Sequence, residues 1–227
     1  MAKYTGTYSE FNSVNRLANL DGLEWKMVDH LINSDSKHAE NIWKILAYDS
    51  DIHALSKESV KEEDRRKLVC TNNGEPTGKR LFIQPFVDDA WSEQCSSVYI
   101  YVDEVSPTDQ TRANIVVTVE AIVHTKTSVI SGDGDQITNP EANKNDSDEQ
   151  GNVVVTMKNR ATVLLKSIVA EFNGLFLDGI GYLLIDPTLD KKTGAVLNLW
   201  NRRSYYGYTI KFALKMSGYS DNANYGF

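Results

Sequence analysis

The first third of the chain has apolar residues at the three- to four-residue spacing of amphipathic helices. This spacing predicts helices at residues 23–31, 39–48 and 59–68. A capping box, in which an N-terminal side chain and a carboxylate three residues later bond each other's backbone, is predicted for two of them. These boxes are Asp21 with Glu24 and Ser59 with Glu62.

From residue 80 onward the pattern changes to the alternation of apolar and polar residues that is typical of β-strands. Pro85 indicates that the first of these strands lies at a sheet edge or ends there. In the strand at 115–124, Thr118, Glu120 and His124 alternate with apolar residues, so one of its faces is expected to be wetter. The predicted strands are residues 81–87, 97–102, 115–124, 182–185 and 205–216.

The last predicted strand has the clearest alternation in the chain. Its even-numbered residues, from Tyr206 to Met216, are all apolar or aromatic. We therefore expect Ile210, Phe212 and Leu214 to face the core, with Thr209, Lys211 and Ala213 on the other face.

A different pattern separates the two groups of strands. Residues 131–151 contain no aromatic residue, six acidic residues and one lysine, which gives a net charge of −5. This composition predicts a mobile loop or an insertion that becomes ordered on binding. An amphipathic helix is predicted after it at residues 158–173, ended by a left-handed residue at Asn173–Gly174.

The predicted order is three helices followed by β-β-β-α-β-β. This order favours an α+β fold, an antiparallel sheet with one helix packed on its face, over a doubly wound sheet with regularly interleaved helices. The chain then divides into an N-terminal arm and helices at 1–78, a core domain at 79–217 that carries the acidic loop 131–151, and a C-terminal tail at 218–227.

Composition and charge narrow the classes of function. The 227 residues include 24 basic and 31 acidic ones, a net charge of −7, which is the wrong sign for a protein that primarily binds nucleic acid. We expect a protein without a signal peptide or membrane span, folded in a reducing cytoplasm. Cys70 and Cys95 are expected to be reduced thiols, with a single disulfide as the alternative.

The residues that usually carry catalysis or bind metals are scattered along the sequence. The four histidines, among them His124, do not have the short spacing of metal ligands. Cys95 has no cationic neighbour in sequence that would activate it as a nucleophile, and Asp88–Asp89 is an isolated carboxylate pair. The sequence therefore predicts no catalytic residue, no metal site and no cofactor, and we expect that the protein is not an enzyme.

Aromatic and arginine residues, which dominate many protein interfaces, are concentrated near the C-terminal end. Alternation alone places half of these aromatic side chains away from the core. Two interpretations stay open: a protein interface, or a packed terminal strand with a rim of tyrosine and arginine. The candidate interface residues are Trp200, Arg202, Arg203, Tyr205, Tyr206 and Tyr208.

Five segments resemble, in their order and amino-acid sequence, the neck proteins of long-tailed bacteriophages, the group of tail terminators and tail-completion proteins. The closest similarity is in the helix segment NRATVLLKSIVAEFNG and in the strand segment YGY at 206–208. The acidic segment 131–151 and the N-terminal 40 residues depart from that group. The similar segments are residues 41–69, 79–102, 115–130, 159–186 and 201–217.

This resemblance implies a structural virion protein, assembled in the host cytoplasm, that forms a homo-oligomeric ring, usually a hexamer, in the neck of the phage. The implied partners are further copies of the chain, the tail tube protein and the head-side connector or adaptor. Genome DNA would pass through the lumen of the ring without specific binding. The tail terminator is the expected ring. The alternatives are the connector-side head-completion ring, a monomeric adaptor and an enzyme whose site is scattered in the sequence.

Overall fold

The computed structural model describes residues 22–71, 77–86, 94–107, 112–138, 153–177, 180–188, 190–200 and 204–217. Within these ranges the chain forms four α-helices and nine β-strands, so the predicted mixed α+β class is confirmed. The helices are α1 (Leu23–Asn33), α2 (Lys37–Ala47), α3 (Glu62–Leu68) and α4 (Arg160–Phe172). The strands are β1 (Leu81–Phe82), β2 (Ser97–Pro107), β3 (Arg112–His124), β4 (Val129–Thr138), β5 (Val153–Asn159), β6 (Phe176–Leu177), β7 (Gly181–Leu184), β8 (Gly194–Trp200) and β9 (Tyr205–Ser217).

Seven of these strands form one sheet in the order β1-β2-β3-β9-β7-β6, and β8 pairs with β9 beside that path. All pairs are antiparallel except β1 with β2, which is parallel and corrects the prediction of a purely antiparallel sheet. Strand β9 pairs with β3 along its whole length, so β7 and β8 share the other side of β9. Strands β4 and β5 form a separate two-stranded ribbon.

The main core lies between the helices and one face of the sheet. Ile210, Phe212 and Leu214 are buried in it, as their alternation predicted. On helix α4, Phe172 meets Phe212 edge-on, with ring centroids 6.2 Å apart. Apolar residues of α1 and α2 belong to the same core, so the N-terminal helices and the sheet share one apolar interior.

The ribbon corrects the prediction of a loop at residues 131–151. Strand β4 continues to Thr138, where it pairs with Val153 of β5, so the first eight residues of the predicted loop are a strand. The reason is cross-strand pairing with a valine-rich strand, which the local acidic and glycine-rich sequence conceals. The remainder of the predicted loop lies outside the described residues. Five described strands precede α4 and four follow it, instead of the predicted three and two.

Of the two predicted capping boxes, Ser59 with Glu62 is absent, and Asp21 of the other lies outside the described residues. Helix α1 begins after Gly22, whose φ of 88° is left-handed, and the Glu24 carboxylate accepts a hydrogen bond from the Val102 N–H at 3.3 Å. The Ser59 hydroxyl donates to Glu40 at 2.6 Å, and α3 begins three residues later. The predicted left-handed end of α4 is confirmed at Gly174, whose φ is 90°.

A buried carboxylate connects three helices. Glu171, in the last turn of α4, accepts a hydrogen bond from the Ser36 hydroxyl and lies 2.8 Å from His30 Nε2. Ser36 also caps α2, since its hydroxyl accepts the Ala39 N–H at 3.0 Å. Burial raises the pKa of Glu171, but hydrogen bonds from Ser34, Ser36 and His30 outweigh it and leave that pKa below its ordinary value.

Candidate association surface

The structure places the predicted interface residues around the β8–β9 hairpin. Trp200 is the last residue of β8 and pairs in register with Tyr205, the first residue of β9. Tyr206 and Tyr208 follow on β9, both on the face opposite to that of Tyr205. Arg202 and Arg203 lie outside the described residues.

Tyr205 and Trp200 belong to an aromatic cluster on the sheet face opposite α4. The Tyr99 ring lies between Phe82, stacked on it at 4.8 Å, and Phe86, which meets it edge-on at 5.2 Å. Phe86 in turn contacts both Trp200 and Tyr205, with ring centroids 6.0 Å away in each case. We use "aromatic cluster" for these five residues.

The aromatic cluster explains the burial of Tyr205 on β9 without a protein interface. Tyr205 is 3% exposed because Phe82, Phe86 and Tyr99, from a distant part of the chain, cover it. Its burial therefore needs no second protein. Trp200 is half-buried at the margin of the cluster and retains an exposed part that a partner could contact.

Tyr206 and Tyr208 lie on the other face of the sheet and pack partly buried against the main core. The Tyr206 hydroxyl is 3.3 Å from the Ser128 carbonyl and 3.2 Å from Asn159 Oδ1. Burial raises the pKa of Tyr206. The four predicted interface residues that the structure describes are thus divided between two faces of the sheet.

The strand face predicted to be wetter is buried along β3. Thr118, Glu120 and His124 are each less than a tenth exposed. Glu120 Oε2 accepts the Phe86 N–H at 3.2 Å, and burial raises the pKa of this carboxyl. The prediction failed because the segment that carries Phe86 crosses this face.

Salt bridges cover the end of that face farthest from the aromatic cluster. Lys211 of β9 pairs with Asp103, and Lys192, in the turn before β8, pairs with Glu104. Both carboxylates come from β2 at a point where its register with β3 shifts. These two ion pairs join β2 to β9 and to the turn before β8.

Two of the residues considered for catalysis, Cys95 and His124, are buried. Cys95 is buried beside the start of β2, and Asp88–Asp89 lies outside the described residues. The ring of His124 packs edge-on against Tyr205 at 5.0 Å, and burial lowers its pKa. Its Nδ1 accepts the Lys126 N–H at 3.1 Å.

The largest exposed apolar feature is one the sequence did not indicate. Six large apolar side chains of the described residues are more than half exposed, and five of them lie on β6, β7 and β8. These three strands occupy the same border of the sheet, beyond β9. We call this border the apolar edge, and its exposed members are Phe176, Tyr182, Val196, Leu197 and Leu199.

The described part of the chain contains neither a membrane-spanning helix nor a cluster of metal-binding side chains. No helix there is long and apolar enough to cross a membrane. Nor do three or more histidine, cysteine or carboxylate side chains of the described ranges come together in a group able to hold a metal ion. Comparisons with protein-family models, curated proteins and solved structures gave no match to the chain.

Proposed function

We propose that the chain is a structural subunit of the neck of a long-tailed bacteriophage, and specifically a subunit of the tail terminator ring. In this proposal the sheet, with α4 packed on one of its faces, forms the ring. The ring caps the tail tube and joins it to the head-side connector. The protein would act in the virion by shape and contact, without a cofactor.

The observation that carries the proposal is the apolar edge. Five large apolar side chains exposed along one border of a sheet are typical of a surface that another protein covers. Ring subunits need such a surface, because each copy contacts its neighbours laterally. The half-buried Trp200, at the end of the same strand as Leu197 and Leu199, links this edge to the predicted interface residues.

The charge of the chain supports the same function. A net charge of −7 disfavours binding to phosphates, and a lumen of that sign would let genome DNA pass without adhering. The resemblance of residues 41–217 to phage neck proteins points in the same direction.

A second candidate is the connector-side head-completion ring. The acidic segment 131–151 and the N-terminal 40 residues depart from the resemblance, and extra segments of this kind could fit a different level of the neck. The two rings differ in what they touch: a terminator contacts the tail tube, whereas a head-completion ring contacts the connector and leaves tail length unaffected.

Cryo-electron microscopy of the virion, combined with mass spectrometric counting of copies, tests the proposal. A ring of this chain seated on the last layer of the tail tube is the expected result. A ring seated on the connector instead would replace the first candidate with the second. Absence of the protein from purified particles, or a copy number too small for a ring, would overturn both.

A further inference from the structure

Strand β8 has the properties of a strand that pairs with another chain. Its seven residues, GAVLNLW, include no charged residue and no proline. Among the described residues it pairs on one side only, with β9, so the backbone groups of its other side are available. Protected edge strands usually carry lysine, proline or a bulge that prevents such pairing.

The opposite border of the sheet is protected in this way. Strand β2 has a register shift between Val102 and Glu104, and two acidic residues lie at that point. The Val102 N–H already donates a hydrogen bond to the Glu24 carboxylate of α1. Strand β1 pairs with the residues near the start of β2. The β2 border is therefore a poor acceptor for β8 of another copy, and a head-to-tail extension of the sheet is disfavoured.

The best-matched partner for β8 that the described chain offers is β8 itself. We propose that two free copies of this chain associate by antiparallel pairing of β8 with β8, across a two-fold axis at Asn198. An axis perpendicular to the sheet reverses the strand direction and preserves its faces. The two sheets then join into one.

This register matches apolar residues on both faces. Leu197 and Leu199 lie on the face of β8 that continues the main core, because they pair with Tyr208 and Tyr206. About the axis at Asn198, Leu197 stands opposite Leu199 of the second copy, and this pair occurs twice. On the other face, Val196 stands opposite Trp200 of the second copy. Cross-strand neighbours of this kind are the unit that stabilises a sheet.

The two-fold contact goes beyond the proposed function and does not depend on it. A cyclic ring requires head-to-tail contacts, whereas this contact uses the same surface on both copies. Because Trp200 belongs to both surfaces, the dimer is a state of the free subunit that must separate before the strand enters a ring. The dimer is measured on the isolated protein and the ring in the virion, so either proposal can fail alone.

The first test is the mass of the isolated protein by analytical ultracentrifugation across a wide range of concentration. The parent chain should show a monomer–dimer equilibrium. The double variant Leu197→Lys and Leu199→Lys should raise the dimer dissociation constant at least about a hundredfold, because pairing would place unpaired ammonium groups against each other. Both positions are more than half exposed, so the melting temperature should stay near that of the parent.

A matched control places the same charges elsewhere. Val129 and Met157 are exposed apolar residues at the base of the ribbon, and their double substitution to lysine should leave the dimer intact. A parent chain that is monomeric at all concentrations, or that forms a larger cyclic oligomer, overturns the proposal. Equal dissociation by both double variants overturns the location on β8.

The second test measures the register by disulfide formation in a Cys70→Ser background. Asn198→Cys should cross-link under mild oxidation, because the two residues 198 face each other within disulfide distance. Ala195→Cys should not, since its two copies would lie roughly 20 Å apart along the strands. Cross-linking at 195, or failure at 198 in a chain that is dimeric by mass, overturns the proposed register.

Discussion

Phe212 occupies the contact between the sheet and helix α4, where its ring is fully buried against Phe172. Removal of a buried aromatic ring loses its transfer free energy and leaves a cavity that the surroundings only partly close. Phe212→Ala should therefore lower the free energy of unfolding by about 3–5 kcal/mol in urea titrations. Met157→Ala, at an exposed apolar position, is the control and should change it by less than about 1 kcal/mol. A loss below ~1 kcal/mol for Phe212→Ala would contradict its place in the core.

Glu171 makes stability depend on pH in a defined direction. Its pKa in the folded chain lies below the ordinary value of 4.5, so the unfolded chain binds more protons than the folded one between these two values. The stabilisation is complete above the unfolded pKa and is lost as the pH falls through the folded pKa. Glu171→Gln should flatten this acidic limb when the free energy of unfolding is measured by urea titration at a series of pH values.

The control for that experiment is Glu63→Gln, which removes an exposed carboxylate of α3 and leaves the contacts of Glu171 in place. This variant should keep the acidic limb of the parent protein. If Glu171→Gln and Glu63→Gln give the same profile, the carboxylate that joins the three helices is not the source of the pH dependence.

At the scale of elements, β9 leaves no room for a side chain at Gly207, next to the backbone of β3. A Cβ atom on this residue would lie 1.8 Å from the Ala121 carbonyl oxygen and 3.1 Å from the Ile122 Cα. Gly207→Ala should therefore separate the two strands and cost at least about 2 kcal/mol of unfolding free energy, despite the lower strand preference of glycine. Thr209→Ala, two residues along the same face, should cost about 1 kcal/mol or less in the same urea titrations. Equal effects would show that the close approach does not limit residue 207.

The elements that could be predicted are those whose local pattern agrees with their surroundings. Strand β9 alternates strictly because one of its faces lies against the helices, and α4 has a continuous apolar stripe for the same reason. Strand β8 could not be found in this way. Its apolar residues at 196, 197 and 199 point to both faces, so no alternation remains.

The surroundings of the candidate residues depend on contacts that are distant in sequence. Tyr205 is covered by Phe82, Phe86 and Tyr99, which the local pattern around β9 cannot indicate. Strand β4 is likewise held by its pairing with β5 across a long connection. The sequence could therefore predict which residues are aromatic and close together, but not which of them the chain itself covers.

At the scale of the whole molecule, the proposed ring makes a prediction about Arg202 and Arg203, which stand beside the exposed end of β8 in sequence. Arginines next to an aromatic residue frequently dominate an interface. The double variant Arg202→Glu and Arg203→Glu should block capping of tails while leaving the melting temperature of the isolated subunit nearly unchanged. In electron micrographs of lysates we expect tails of uncontrolled length, or heads and tails that fail to join.

The control for this phenotype is Lys61→Glu with Lys67→Glu, which makes the same change of charge on exposed residues at α3. These particles should assemble normally. Normal particles from the arginine variant would remove the two arginines from the interface between subunits.

The central position of β9 has a consequence for how the chain is made. It is the last of the described strands in chain order, yet in space it separates β3 from β7 and β8. A nascent chain that has emerged only as far as Trp200 can pair β1, β2 and β3, but it still presents the bare edge of β3 together with the apolar residues of β8. Strands β7 and β8 are connected to β3 only through β9, so the two parts of the sheet unite only after β9 has been translated. Until β9 has been translated, the chain is most exposed to incorrect strand pairing with other nascent copies on the same polysome.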